Sequence, residues 1–321
     1  MGYIITQTTD LQRFSAVDVS FKYDKLLPSF PKAEGDIKAI ISPEVYNLAL
    51  GYLANPSEPA NAVLEGLVEA IQAPFWNLAM YHHFIWLQIR VSNNKLTILK
   101  SDKEQALNKG QIIEAKESIM EMAHSYLSSL IDYLNENKTT IIDGAGKELW
   151  TECAQYTAVQ NMLFSGYRDF DSHYSIDNSA VFYYRAGNII RKVIADNVEA
   201  RVGDIAKVIT PDEGEPDTKL IERLKTCVAY ETMAKAIKLM TFVWLPGSVR
   251  QTIDQELYAS GGKDDTTVRE RIGREIAADA QKEWMKLDMQ LATPAENAAG
   301  EMELISLKNE MDEDLSFGLM L

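Results

Sequence analysis

The sequence predicts an all-α protein of two related helical units, with a short β element near their junction. Three observations lead there. The block Gly35-Asp36-Ile37-Lys38-Ala39-Ile40-Ile41-Ser42-Pro43-Glu44 returns as Gly203-Asp204-Ile205-Ala206-Lys207-Val208-Ile209-Thr210-Pro211-Asp212. Apolar residues at helical spacing also return: Ala115, Ile119, Ala123, Leu127, Leu130 and Leu134 reappear 157 residues on as Ile272, Ile276, Ala280, Trp284, Leu287 and Leu291. The composition, 46% hydrophobic and 25% charged over 321 residues, is that of a folded, soluble chain long enough for two domains.

Residues 1–24 form a leading segment in which Asp10-Leu11 and Phe21-Lys22-Tyr23 match the order of Asp169-Phe170 and Phe182-Tyr183-Tyr184. Pro28 and Pro31 bracket a turn, and Asp36 to Leu53 has mostly helical spacing. Ser42-Pro43-Glu44 is a helix start: serine caps orphan amides, proline suits the first position and glutamate suits the positive dipole end. Thr210-Pro211-Asp212 has the same chemistry, but Gly214-Glu215-Pro216 follows at once, so no helix is expected there. The first unit thus carries an added helix and loop of about eleven residues, Tyr46 to Pro56.

Pro59 to Gln72 is amphipathic, Pro74 should kink it, and Phe75 to Val91 continues it. Its counterpart is Asp217 to Leu245, ended by Pro246-Gly247, with Trp86 and Trp244 in similar places. Ser101 to Gly110 reads as a loop or frayed helix start, and Gln111 to Asn135 as a long helix matched by Thr267 to Leu291. Thr139-Thr140-Ile141-Ile142 suits a short strand, Asp143-Gly144 a turn, and Gly146 to Leu163 a helix joining the units. Pro294 opens a tail with six acidic residues and one lysine between Glu301 and Asp314, ending Leu315-Ser316-Phe317-Gly318-Leu319-Met320-Leu321. The expected division is 1–138 for unit 1, 139–292 for linker helix and unit 2, and 293–321 for an acidic arm or tail.

A net charge of −15 argues against a groove for nucleic acid, because phosphate is repelled. Cys153 and Cys227 lack CxxC spacing and read as core residues of a reducing compartment. The N-terminus lacks the pattern of a signal peptide, and Gly2 with Thr6 matches a myristoylation signal only loosely. Ala73 to Val91 is apolar but broken by His82, His83, Gln88 and Arg90, which fits a buried helix and no membrane span.

No catalytic, cofactor or metal residues are expected. His82-His83 are neighbours on a helix, about 100° apart, and cannot easily share one ion. Glu121-Met122-Ala123-His124 matches half of a di-iron pattern, with no second copy. Gly144-Ala145-Gly146-Lys147 lacks the spacing of a phosphate loop, and Ser165-Gly166 lies in no nucleophile elbow. Asp169-Phe170-Asp171 and Asp264-Asp265 read as solvated loops. The stripe Phe75, Trp76, Tyr81, Phe84, Trp86 reads as core. Two candidate partner-binding groups remain. Arg185, Arg191 and Lys192 lie beside aromatic residues and suit an acidic partner, while Phe317, Leu319, Met320 and Leu321 form an apolar plug that an extended acidic arm would deliver to a neighbour.

A helical unit opened by Gly35-Asp36-Ile37 through Ser42-Pro43-Glu44, then a proline-started helix ending near Trp86, then a long helix to Tyr133-Leu134, resembles the head-to-tail connector proteins of tailed bacteriophages. The likeness is greatest to the two-repeat form of phages and prophages of Bacteroides-type hosts, crAss-like phages included, and covers roughly residues 1–292. The resemblance implies a structural virion protein and no enzyme. It implies a homo-oligomeric ring matching the twelve-fold portal, with the portal and other neck or tail proteins as partners. The expected location is the virion neck, after assembly in the host cytoplasm. The duplication and the C-terminal tail set this chain apart from single-unit connectors. The residues alone leave open a non-virion helical scaffold or regulatory binding module, and a helical-bundle enzyme.

Overall fold

Two helical hairpins of matched length set the architecture. The computed structural model describes residues 2–7, 14, 23–56, 60–84, 86, 89–92, 95–98, 109–160, 163–259 and 265–292. A 3-10 helix, Tyr23–Ser29, leads into α1 (Phe30–Ile41), α2 (Pro43–Ala54) and α3 (Ala62–His83). Strands β1 (Ile89–Ser92) and β2 (Lys95–Ile98) precede α4 (Lys109–Glu136). Then come α5 (Ala154–Val159), α6 (Tyr167–His173), α7 (Ala180–Val193), a π-helical turn Ile194–Val198, α8 (Glu199–Val202) and α9 (Ile205–Ile209). The last part is α10 (Thr218–Leu239), a 3-10 turn Phe242–Trp244, α11 (Gly247–Ala259) and α12 (Asp265–Ala292).

The protein is all-α in its core and consists of two related helical units. Helices α3 and α10 each have 22 residues, and α4 and α12 each have 28. The most extensive packing in the molecule joins α3 to α4 and α10 to α12. The buried faces repeat in register. Leu67, Ile71, Phe75, Trp76 and Ala79 on α3 are buried, and so are Leu224, Val228, Thr232, Met233 and Ala236, each 157 residues further on. The same spacing relates buried Ala123, Leu127 and Leu130 on α4 to buried Ala280, Trp284 and Leu287 on α12. Both hairpins start with a similar cap: Asn61 accepts from Val63 N and Leu64 N at 3.0 and 3.2 Å, and Asp217 accepts from Leu220 N at 3.1 Å.

Several elements differ from the sequence expectation. The helix expected through Val91 ends at His83, and Ile89–Ser92 instead pairs antiparallel with Lys95–Ile98. The β-branched Ile89, Val91, Thr97 and Ile98 flank Asn93-Asn94, a turn-forming pair, and such residues favour a hairpin over a helix. In unit 2 the same connection holds a 3-10 turn and α11 instead. Trp86 and Trp244 therefore differ sharply, the first 53% exposed and the second 7%. Pro74 lies inside α3 without ending it.

The repeated Gly-Asp-Ile block also takes two forms. Gly35-Asp36-Ile37 lies within α1, whereas Gly203 has φ 74 and stops α8, and Asp204 caps α9 by accepting from Ala206 N at 2.9 Å. Ser42 caps α2 as expected, accepting from Val45 N at 3.4 Å, and does so with φ 76. Residues after Thr210-Pro211 form no helix until Thr218, and α2 is the added helix of unit 1.

At the junction the short β element is a single bridge, Ile142 with Glu148. The joining helix expected over Gly146–Leu163 shrinks to α5. The cause is a local loop: Asp143 accepts from Ala145 N and Lys147 N at 2.8 and 2.9 Å, and Gly146 takes φ 84. A continuous set of buried apolar side chains runs through both units, from Ile4 and Phe30 through Trp150 and Phe182 to Trp284. Among the described residues, no helix is long and apolar enough to cross a membrane. The Asp10-Leu11 and Phe21-Lys22 matches, most of Ser101–Gly110 and the tail 293–321 lie outside the described residues.

Candidate functional site at the seam between the units

Trp244 marks where the units meet. Helix α10 ends at Leu239, and the following 3-10 turn lays the Trp244 ring beside α4 and α7. His124 of α4 stacks on it, with centroids 5.6 Å apart and planes 4° apart. The Arg185 guanidinium of α7 lies 4.1 Å from its ring centroid, a cation–π contact. Burial drives the His124 pKa down to about 3, and the charge of Arg250 lowers it further, so this imidazole stays neutral near pH 7. Burial also lowers the pKa of Arg185, against the opposing charge of Asp36.

Arg250 of α11 is 6% exposed. Among the described residues, its Nε, the Arg185 Nε and the His124 Nε2 have no hydrogen-bond partner. Acidic groups compensate Arg250 at longer range: burial lowers its pKa, and the carboxylates of Glu121, Glu117 and Asp177 and the Tyr81 phenol raise it. A cavity of about 180 Å³ opens here, lined by Tyr81, Lys116, Glu117 and Met120 from unit 1 and by Phe242, Arg250 and Asp254 from unit 2. Glu117 is raised to about 7, first by its hydrogen bond with Asp254, then by burial and by the charges of Asp254 and Glu121. Glu117 can therefore take up or release a proton near neutrality. Among the described residues, neither a cysteine nor a serine lines this cavity.

Polar contacts continue along the seam. Asn135 Oδ1 accepts from Trp150 Nε1 at 2.9 Å and from Tyr184 Oη at 3.2 Å. Asp132 accepts from Tyr167 Oη and from Arg168, each at 3.0 Å for its closest oxygen. These residues fasten α4 to α6, α7 and the junction loop.

The structure separates the residues singled out from the sequence. Arg185 is turned into the seam, whereas Arg191 is exposed and donates to Asn188 Oδ1 at 2.7 Å, and Lys192 is exposed. Phe317, Leu319, Met320 and Leu321 lie outside the described residues. His82 Nε2 meets Asp36 Oδ2 at 2.7 Å, and His83 Nδ1 meets Ser29 Oγ at 3.1 Å, so the pair serves helix packing. Burial alone would raise the Asp36 carboxyl, but hydrogen bonds from His82 and Lys32 outweigh it and hold it low. Asp169 and Asp171 are not solvated loop residues. They lie on α6, where Asp169 pairs with Lys225 at 3.1 Å and Asp171 accepts from Ile176 N at 2.7 Å. Lys147 pairs with Glu152 at 3.2 Å. Cys153 and Cys227 are free and buried, and burial pushes the Cys227 thiol up to about 12. Among the described residues, no group of three or more His, Cys, Asp or Glu side chains is placed to hold a metal. Sequence reasoning missed Arg250, Glu117 and Asp254. The only signal for Arg250 and Asp254 was helical spacing after Pro246-Gly247, which would have placed them on one face.

These features define a class: an all-α protein of duplicated helical hairpins whose polar side chains mostly fasten helices together. The chain belongs to the family of unknown function DUF6712, which it matches twice, over residues 37–157 and 191–297. No curated protein and no solved structure matches it.

Proposed function

We propose that the protein is a structural subunit of a homo-oligomeric ring, a head-to-tail connector that docks on a phage portal. The observation that carries the ring reading is the outer face of unit 2. There α12 leaves Met285 and Met289 58% and 46% exposed, one turn apart. Apolar side chains grouped on a rigid helical block suit repeated contact with a second copy. The portal as partner rests on the likeness of the repeated unit to connector proteins. In this reading the buried seam holds the two units as one block, and no chemistry is assigned to it.

Mass photometry and negative-stain microscopy of the full chain, at micromolar concentration and over a range of salt, test the ring. Closed rings of one size are expected, and they should bind portal particles. A protein that stays monomeric under all these conditions and ignores the portal would overturn the reading in favour of a non-virion scaffold or binding module.

A further inference from the structure

A second and larger opening lies away from the seam, between the C-terminal end of α10 and the first turns of α12. It has a volume of about 660 Å³ and is lined by Ile237, Lys238, Thr266, Arg269, Glu270 and Arg274. Among the described lining residues, three cations face one carboxylate there, on a chain whose net charge is −15. Arg269 is committed to the fold, because its Nη2 donates to the backbone oxygens of Ile237 and Met240. Lys238 and Arg274 are exposed, and no described acidic side chain makes a salt bridge with either. Leu239, next in sequence to Lys238, is exposed. Helices α10 and α12 approach closely behind the opening, where a Cβ at Gly273 would lie 3.5 Å from Lys238 Cε.

We propose that this groove receives the C-terminal segment 301–321 of the chain itself. Charge complementarity selects it. Glu310, Asp312, Glu313 and Asp314 form the densest acidic run of the tail, and Leu315, Phe317 and Leu319 follow at once. An acidic run beside an apolar end matches cations beside Leu239. Reach permits it as well. Helix α12 ends at Ala292, 18 residues beyond Arg274, or about 27 Å at 1.5 Å per residue. The 17 residues from 293 to 309 span up to about 56 Å when extended, so Glu310 can reach the groove of its own chain or of a neighbour. The proposal goes beyond the ring reading and does not depend on it.

Zero-length carbodiimide coupling of the full chain tests this directly, since it joins a lysine to a carboxylate only when they touch. Mass spectrometry should find Lys238 linked to Glu310–Asp314 more often than exposed Lys207 or Lys219 is. The links should fall sharply in 1 M salt, where the screening length shrinks to about 3 Å. Mixing light and isotope-labelled chains tells own-chain from neighbour links, and either kind supports the proposal. A second measurement uses Lys238→Glu with Arg274→Glu. Proteolytic clipping of the tail should quicken about five-fold, as expected on losing two exposed ion pairs, with the melting temperature unchanged. Tail links to Lys238 no more frequent than to Lys207 and Lys219, or clipping unaffected by the double variant, would overturn the proposal.

Discussion

Glu117 shows how a single side chain ties the two units to pH. Its pKa rises from an ordinary 4.5 to about 7, chiefly because Asp254 of the other unit shares a hydrogen bond with it. The folded chain therefore binds more protons than the unfolded one inside that window. By linkage, this contribution to stability is whole below the window and is lost as pH rises through it. Glu117→Gln keeps the hydrogen bond without the ionisation. Denaturant melts at pH 5 and pH 7.5 should show the variant losing less stability over that interval than the natural chain. Equal losses would mean that Glu117 titrates normally. Nearby, Leu127 and Trp284 stand at matching positions of the two long helices and are both buried. Leu127→Ala should cost about 2–5 kcal/mol and Trp284→Ala about 3–5 kcal/mol, because each leaves a cavity. A denaturant titration showing under about 0.5 kcal/mol for either would place that side chain at the surface. Trp284 carries one liability, since its buried Nε1 has no acceptor, although Arg201 lies 4.5 Å from its ring.

At the scale of elements, the long hairpins were legible and their connections were not. Helices α3, α4, α10 and α12 each carry a long apolar face, which periodicity reads well. The connection after α3 was misread because Phe75–Val91 is mostly apolar, and an apolar run alone does not distinguish helix from strand. Gly35 and Gly203 sit in nearly identical words and take different structures, since burial against neighbouring helices overrides local preference. Glycine has a sharper role at Gly187 of α7. A Cβ there would meet Val159 Cγ1 at 2.9 Å and the Ala158 carbonyl oxygen at 3.0 Å. Backbone cannot swing aside as a side-chain tip does. Gly187→Ala should therefore destabilise by about 1–3 kcal/mol, although alanine is the better helix former. Unchanged or raised stability in thermal melts would show that α5 and α7 separate easily.

At the scale of the molecule, folding and assembly should be separable. The candidate groups named from the sequence were half legible. Arg191 and Lys192 are exposed as expected, but Arg185 is held in the seam by Trp244, a contact between distant segments that no local pattern announces. Phe317, Leu319, Met320 and Leu321 lie outside the described residues, and within the described ones Met285 and Met289 stand exposed on the face of α12 opposite the buried Ala280, Trp284 and Leu287. Their flanking residues include Lys282, paired with Asp279 at 2.9 Å, and Lys286, paired with Glu283 at 2.6 Å, so the two methionines sit in a frame of satisfied charges. Such a patch contributes little to the fold of one chain and much to contact between chains. The double variant Met285→Glu with Met289→Glu should melt within about 0.5 kcal/mol of the natural chain, the range of ordinary surface changes. In a ring, every subunit repeats the same interface, so two added carboxylates per contact repel at each junction of an already acidic assembly. If the ring reading holds, mass photometry should find closed particles for the natural chain and monomers for the variant. Intact rings from the variant would move the interface elsewhere, and a large loss of stability would mean that the methionines pack within the chain.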